Sequence, residues 1–126
     1  NTAARVVTRM PKFCHISPVL KQLHWLPVEF RIQFKLLLMT YKCLHGKAPD
    51  YLSKLISPYI PPRALRSSSK DLLSISKYRL KTCGSLSFSV AAPTLWNSIP
   101  VNIKTAETLN SFKSKLKTWL FEKAYN

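Results

Sequence analysis

The sequence predicts an α+β protein that is mainly helical, with several helices around a long central helix. Three observations lead to this prediction. Residues 24–46 contain no glycine before the last position, and their apolar side chains follow helical spacing. Residues 72–76 and 85–90 alternate polar and apolar side chains, which is typical of strands. Residues 108–125 carry apolar side chains every three or four positions, as an amphipathic helix does.

Two short helices are predicted before the central one. Residues 1–9 have the pattern of a helix end, closed by Pro11. Because the helical pattern is present from the first residue, we expect the chain to be a fragment that begins upstream. Ser17 is the predicted N-cap of a second helix, with Pro18 as its first residue and an end near Leu23.

The central helix is predicted over about residues 27–45, because Pro27 can open a helix and Gly46 can follow its end. At about 100° per residue, Arg31, Lys35 and Lys42 form one basic stripe about 40° wide. Two apolar faces flank the polar positions: Ile32, Leu36, Met39 and Cys43 on one, and Phe30, Phe34, Leu37, Tyr41 and Leu44 on the other. We therefore expect this helix to lie between two layers, with a basic edge in solvent.

A short helix and a connector are predicted after Gly46. Residues 48–56 read as a helix with Pro49 near its first turn. Residues 57–70 contain three prolines and three consecutive serines, so we expect a basic, extended connector there.

A small β-hairpin is predicted over about residues 72–90, formed by the two alternating segments. Such a hairpin is marginal alone and must pack on the helices. Residues 91–100 are predicted as a turn, with Trp96 as a large apolar anchor before Asn97 and Pro100. The C-terminal amphipathic helix follows over about 108–125, and one apolar face contains Leu109, Phe112, Leu116, Trp119 and Leu120.

The charge balance points to a polyanionic partner. Twenty Lys and Arg face five Asp and Glu, which gives a formal net charge of +15. Self-repulsion at this level weakens the compact state, and phosphates relieve it. Lysines outnumber arginines by 14 to 6, which favours phosphate contacts over reading of base edges. The candidate nucleic-acid-binding residues are Arg31, Lys35, Lys42, Arg63, Arg66, Lys77, Arg79, Lys81, Lys113, Lys115, Lys117 and Lys123.

Catalysis by this chain alone is not expected. Two-metal phosphoryl transfer needs clustered acidic ligands. The acidic residues are instead scattered along the sequence, as Glu29, Asp50, Asp71, Glu107 and Glu122. We interpret them as solvated charges, helix-start residues or ion-pair partners, and we predict no catalytic residue and no cofactor.

The cysteines favour a reducing compartment. Cys14, Cys43 and Cys83 are odd in number and widely spaced, so a disulfide framework is not expected. The Cys and His positions lack the paired spacing of zinc sites, and no metal site is predicted. No apolar run reaches the roughly 20 residues of a membrane span, and no signal peptide is evident. We expect a nuclear or cytoplasmic protein that is neither secreted nor inserted in a membrane.

The three tryptophans are candidates for base stacking. Trp119 lies on the apolar face of its helix, and Trp25 lies between two leucine-containing turns, so core packing is the preferred interpretation of both. Trp96 is the one for which a surface position is expected, because polar and turn-forming residues follow it.

Four segments occur in an order and with gaps that resemble a known family: AARVVT at 3–8, HISPVLKQLHWLPVEFRIQFKLLLMTYKCLHGKAPDYLSKLI at 15–56, RLKTCGSLSFSVAAPTLWNSIP at 79–100 and SFKSKLKTWLF at 111–121. Together they resemble the C-terminal region of reverse transcriptases from LINE-type (non-LTR) retrotransposons, over essentially the whole chain. The most specific stretches are His24-Trp25-Leu26-Pro27, Tyr41-Lys42, Leu44-His45-Gly46, Ala92-Pro93 and Leu95-Trp96-Asn97-Ser98.

The resemblance implies a part of an RNA-directed DNA polymerase. In that family the fingers and palm, with the acidic catalytic motif, lie upstream, and residues 1–9 resemble the segment just after the thumb. The family enzyme copies its RNA using a nicked chromosomal strand as primer. The region after the polymerase is implied to help hold template RNA or target DNA. The expected partners are RNA or DNA, bound without strong sequence preference, and the upstream polymerase domain of the same polypeptide.

The sequence departs from the family in two places. Some relatives carry a Cys/His zinc knuckle after the polymerase, and no such spacing is present here. Cys83-Gly84-Ser85-Leu86 stands where a glycine followed by charged residues is more usual, so we expect a polar turn contact of the family to be missing. Two alternatives to nucleic-acid binding stay open: a structural brace for the thumb with incidental charge, and a decayed element fragment without activity. Residues 1–126 then form either a single domain or a piece of a larger protein.

Overall fold

The structure, a computed structural model, describes residues 1–66 and 70–126. The described part is mainly helical, and the predicted serine run of the connector, Ser67 to Ser69, lies outside it. In chain order its helices are α1 Thr2–Thr8, α2 Ile16–Gln22, α3 Val28–Leu44, α4 Asp50–Ser53, α5 Lys81–Gly84, α6 Phe88–Ser98, α7 Val101–Lys104 and α8 Leu109–Tyr125. None of them is long and apolar enough to cross a membrane.

The central helix α3 confirms the prediction for residues 27–45. Pro27 is its N-cap, Glu29 lies in its first turn and Lys42 in its last turn, so both charges complement the helix dipole. Gly46 has φ +65°, a left-handed conformation that glycine adopts at little cost. The chain can therefore turn away directly after the helix, where the Lys47 N–H donates to the Lys42 carbonyl at 2.8 Å.

Helix α8 runs antiparallel to α3 and confirms the predicted C-terminal helix. The Thr108 side chain caps its start by accepting a hydrogen bond from the Ser111 N–H at 3.2 Å. Tyr41 near the end of α3 stacks on Phe112 near the start of α8, with ring centroids 4.2 Å apart. His24, before α3, stacks on Phe121 near the end of α8 at 5.3 Å. The two stacked pairs therefore lie at opposite ends of the helix pair.

The main apolar core lies between α3, α6 and α8. Helix α3 therefore packs on both α6 and α8, but through one continuous buried face rather than two separate ones, because Thr40, which lies opposite the basic stripe, is fully buried. The fully buried side chains include Leu37, Tyr41 and Phe112, and the Tyr41 hydroxyl donates to the Ala106 carbonyl at 2.7 Å. Ile32, from one of the two predicted apolar faces, is exposed instead.

The predicted hairpin over about 72–90 is not formed, and the described residues contain no strand pairing beyond one isolated bridge. That bridge joins Leu73 to Pro58, in the preceding connector. Residues 81–84 form α5, and Ser87 becomes the N-cap of α6. The serines of the second alternating segment instead lie at and before the start of α6, where the Ser87 carbonyl accepts from the Ala91 N–H at 2.8 Å.

A side chain takes the place of a second strand beside Leu73. The Asn97 amide accepts from the Leu73 N–H at 2.8 Å and donates to the Leu73 carbonyl at 3.0 Å. Both backbone groups of Leu73 are therefore satisfied by one residue of α6. A single asparagine supplies what the predicted hairpin would have supplied through its ladder.

The predicted turn at residues 91–100 is also wrong, because most of this segment belongs to α6. Pro93 lies inside the helix and removes only the bond that a residue at 93 would donate to the Ser89 carbonyl. Burial of Ala92 and Trp96 in the main core, which α3 also lines, outweighs that loss.

The N-terminal predictions hold with shifted boundaries. α1 agrees with the predicted helix over residues 1–9, and Arg9 ends it with φ +54°. α2 begins at Ile16 with His15 as N-cap, so the predicted cap at Ser17 is wrong. The helix predicted over 48–56 is reduced to α4, and its first residue follows Pro49. A second, small apolar cluster joins α1 and α2 through Ala4, Val19 and Leu20.

Candidate nucleic-acid interface

The predicted basic stripe of α3 lies on the surface. Arg31 and Lys35 are exposed and Lys42 is half-buried. The Arg31 Nε donates to the Leu26 carbonyl at 2.7 Å. This bond ties the guanidinium to the turn before the helix and leaves its two Nη atoms without a hydrogen bond in the described part of the chain.

The four predicted basic residues of α8 are divided between different sides of the helix. Lys113 and Lys117 are four residues apart and lie on one side. Lys115 lies on another, where its Nζ approaches the Asn102 carbonyl at 3.4 Å. The Lys123 Nζ lies 5.0 Å from the ring centroid of Trp119. Lys113 and Lys117 are therefore the pair that shares one side of α8, and Lys117 is the member shown next to Arg31 of α3.

The antiparallel packing of α3 and α8 brings two of the predicted residues to one cavity. Arg31 and Lys117 both line a cavity of about 450 Å³. Because the helices run in opposite directions, one turn onward along α3 leads to Lys35 while one turn back along α8 leads to Lys113. A step of one turn is about 5.4 Å. Arg31, Lys35, Lys113 and Lys117 define what we call the α3–α8 ridge.

The remaining predicted residues lie on other segments and are all exposed. Arg63 and Arg66 belong to the connector, Lys77 and Arg79 to the extended segment before α5, and Lys81 to the first residue of α5. Throughout residues 1–66 and 70–126, none of the predicted basic side chains makes an ion pair with a carboxylate. Their charge is thus uncompensated within the described protein.

The five acidic residues are not gathered into one group in the described part of the chain. All five carboxylates are exposed. No group of three or more Asp, Glu, His or Cys side chains in that part of the chain could hold a metal ion.

The cysteines lie far apart in environment as well as in sequence. All three are free: Cys43 is buried, Cys14 half-buried and Cys83 exposed. Burial raises the pKa of the Cys43 thiol, against the opposing effect of a hydrogen bond with Ser53. A raised pKa disfavours the reactive thiolate, so Cys43 acts as a core residue.

One lysine is buried, and sequence analysis did not single it out. Lys104 is 6% exposed, and its Nζ donates to the Lys70 carbonyl at 2.9 Å. Burial lowers the pKa of Lys104, although the carboxylate of Asp71 acts in the opposite direction. The ammonium thus anchors the end of the connector and is not part of the basic surface.

Two tryptophans have the opposite burial to the one predicted for them. Trp96, expected in a surface turn, is 2% exposed, and its Nε1 donates to the Asp71 carbonyl at 3.1 Å. Trp25, expected in the core, is 37% exposed and belongs to neither apolar cluster. Trp119 is half-buried against the main core. The recurrence of Phe88, Ala92 and Trp96 at every fourth position was the helical signal that could have located Trp96 correctly.

No protein-family model, no curated protein and no solved structure matches the chain. The site is therefore defined by its own geometry: a ridge of uncompensated cations along two antiparallel helices.

Proposed function

We propose that this chain is the non-catalytic C-terminal portion of a LINE-type reverse transcriptase and binds RNA or DNA through the phosphate backbone. The observation that supports it most is the α3–α8 ridge, in which Arg31 and Lys117 line one cavity and a further lysine follows one turn along each helix. No carboxylate is paired with these cations in the described residues. Phosphates supply the missing negative charge, and binding them releases condensed counterions. The sequence resemblance supports the proposal that a polymerase domain lies upstream in the same polypeptide.

The composition of the ridge favours backbone contacts. Three of the four ridge residues are lysines, which act as point charges toward phosphate. Sequence reading in the major groove depends more on planar, bidentate side chains such as arginine, asparagine and glutamine. The proposed binding is therefore of low sequence preference.

A salt titration tests the proposal. Filter binding of RNA and of duplex DNA should give a logarithm of affinity that falls linearly with the logarithm of salt concentration. The double variant Lys113→Glu, Lys117→Glu should weaken binding and reduce the magnitude of the slope by roughly 1.4 to 1.8, at about 0.7 to 0.9 for each phosphate that is no longer neutralised. The matched control is Lys47→Glu, Lys54→Glu, two exposed lysines outside the ridge with the same change in net charge. Equal losses of affinity in both double variants, or no binding at low salt, would contradict the proposal.

A structural brace for the thumb is the second candidate, and one observation favours it. Val6 of α1 is 71% exposed and Phe13 is 94% exposed, so an apolar surface is left uncovered at the N-terminal end. Contact with another part of a polymerase would remove that surface from water. In that case the ridge variant of the full polymerase should bind nucleic acid as tightly as the unmodified enzyme.

A further inference from the structure

The cavity at the end of the α3–α8 ridge has the composition of a ligand site. It lies between the turn 24–27, the first turns of α3, and α8, and it is lined by His24, Trp25, Leu26, Arg31, Phe34 and Lys117. Its volume of about 450 Å³ falls within the range of about 300 to 1,000 Å³ typical of small-molecule sites. The lining combines two apolar side chains, one imidazole, one indole and two cations.

The turn that forms this cavity is held from three directions. The Trp25 N–H donates to the Leu20 carbonyl at 2.9 Å, and the Trp25 carbonyl accepts from the Tyr125 hydroxyl at 2.6 Å. The Arg31 Nε donates to the neighbouring Leu26 carbonyl. Contacts from α2, α3 and α8 therefore fix the backbone before any ligand arrives, which lowers the entropic cost of binding.

The Trp25 indole is available for stacking. It lies outside both apolar clusters, and its Nε1 makes no hydrogen bond within residues 1–66 and 70–126. In Trp96, by contrast, the Nε1 is bonded to a carbonyl and the ring is buried. Since the backbone of Trp25 carries the structural bonds, its ring is not needed to hold the turn.

The charge of the cavity selects an anion. Arg31 and Lys117 line it, and no carboxylate of the described residues does. The free Nη atoms of Arg31 can bind two oxygens of one phosphate in a planar fork, and the Lys117 ammonium adds a point charge from the opposite helix.

We propose that this cavity binds one unpaired nucleotide of a single strand, with its base stacked on the Trp25 indole and its phosphate between Arg31 and Lys117. The proposal rests on the proposed function and adds a preference for single strands over duplex. In a duplex the faces of a base are covered by its neighbours, so the indole cannot reach them without unstacking. The lysines of the ridge, which contact only phosphates, bind both forms.

The test compares two ligands of equal length, an oligonucleotide of about 12 unpaired pyrimidines and a duplex. Trp25→Ala should weaken single-strand binding roughly 10-fold or more, as expected for loss of one stacked base, and leave duplex binding unchanged. Trp25→Phe, which keeps an aromatic face, should retain most of the affinity. Tyr51→Ala is the matched control, since Tyr51 is 69% exposed and does not line the cavity.

A second readout does not depend on a truncated side chain. The single strand should quench the tryptophan fluorescence of the unmodified protein, and this quenching should be lost in Trp25→Phe, in which Trp96 and Trp119 remain. The duplex should quench the fluorescence of the unmodified protein less than the single strand does, and it should quench Trp25→Phe no more strongly. Thermal melting of each variant checks that it is folded under the binding conditions.

The outcomes separate this inference from the proposed function. Suppose that both ligands bind with the expected salt dependence. If Trp25→Ala then leaves their affinities unchanged, or lowers the affinity for strand and duplex equally, the nucleotide pocket alone is overturned. Absence of binding to either ligand overturns both proposals. Competition by poly-glutamate as effective as that by the oligonucleotide, at equal charge, shows a general anion site and overturns the pocket.

Discussion

The described protein contains two apolar clusters of very different size. The main cluster, between α3, α6 and α8, has fourteen buried residues. The N-terminal cluster, between α1 and α2, has three, namely Ala4, Val19 and Leu20. The exposed side chains of Val6, Val7 and Phe13 lie next to it in sequence. The main cluster can therefore support a fold by itself, whereas three buried residues supply too little burial for two seven-residue helices.

The two regions are joined at the turn that forms the candidate nucleotide cavity. Tyr125 packs against the N-terminal cluster, and its hydroxyl donates to the Trp25 carbonyl. The Trp25 N–H in turn donates to Leu20 of α2. The N-terminal region thus depends on the last turn of α8 for its position, and the difference between the regions predicts where the protein opens first.

Truncating the centre of the main cluster should have the largest effect. Phe112 is fully buried and stacks on both Tyr41 and Trp96, so Phe112→Ala should lower the free energy of unfolding by about 3 to 5 kcal/mol. Urea denaturation followed by far-ultraviolet circular dichroism measures it. Phe13→Ala, which truncates a phenylalanine that is almost fully exposed, should change the same quantity by no more than about 0.5 kcal/mol. Similar losses of stability in the two variants would show that the main cluster is not the stabilising one.

Truncating the N-terminal cluster should have a local effect. Leu20→Ala truncates a buried side chain, at a cost of about 2 to 5 kcal/mol in stability. A cluster of three buried residues cannot stay folded after such a loss, so α1 and α2 should unfold locally. Hydrogen exchange should show loss of protection in α1 and α2 while α3 and α8 stay protected. Val7→Ala, at an exposed position of α1, is the control. If α3 loses protection in parallel, the two regions form one cooperative unit.

The buried ammonium of Lys104 should make stability depend on pH. Its pKa in the folded protein is lowered from the usual 10.5, so between the two values the unfolded chain holds more protons and stability rises with pH. The contribution is at most about 1.4 kcal/mol per pH unit, and Lys104→Met should abolish it. Burial also raises the pKa of Tyr125 above its usual 10.0, so above about that pH the folded protein holds more protons than the unfolded chain and stability falls. This effect is the same in the unmodified protein and in Lys104→Met, and it cancels when their stabilities are subtracted. Urea denaturation at several alkaline pH values gives the slope of unfolding free energy against pH for the unmodified protein and for Lys104→Met. Equal slopes would show that Lys104 does not cause the pH dependence.

Removing one tyrosine hydroxyl from each region should have the smallest effects on stability, and it compares the two regions by the same chemical change. Tyr125→Phe deletes the bond to the Trp25 carbonyl and should cost about 1 kcal/mol, seen by hydrogen exchange as easier opening of α1 and α2. Tyr41→Phe deletes a buried bond to the Ala106 carbonyl in the main region and should cost about 1 to 3 kcal/mol in global stability. A global loss of stability from Tyr125→Phe, or a local one from Tyr41→Phe, would reverse the proposed roles of the regions.

Local sequence was sufficient for the elements with long, regular patterns. The limits of α3 follow from Pro27, Gly46 and the helical spacing between them, and the extent of α8 follows from the spacing of its apolar residues. In the serine-rich segment 85–90 the pattern failed, because serine is common both in alternating strand patterns and at the start of a helix, where Ser87 lies here. Packing of the following residues on α3 decided in favour of the helix.

The candidate site shows the same division. The four basic residues of the α3–α8 ridge were all predicted from composition and helical angle alone. The meeting of Arg31 with Lys117, 86 positions apart in the numbering, depends on the antiparallel docking of α3 on α8, which no local pattern encodes. The exposure of Trp25 and the burial of Trp96 likewise depend on which helix each ring faces.

The sequence by itself therefore determined the charge, the two long helices and the basic side chains that lie along them, because these follow from residue type and periodicity. Tertiary structure alone decided that Asn97 replaces a β-strand beside Leu73, and that one tryptophan is buried while another borders a cationic cavity. The physical reason is that burial and hydrogen-bond satisfaction are properties of surfaces brought together by the fold, and side chains distant in sequence form those surfaces.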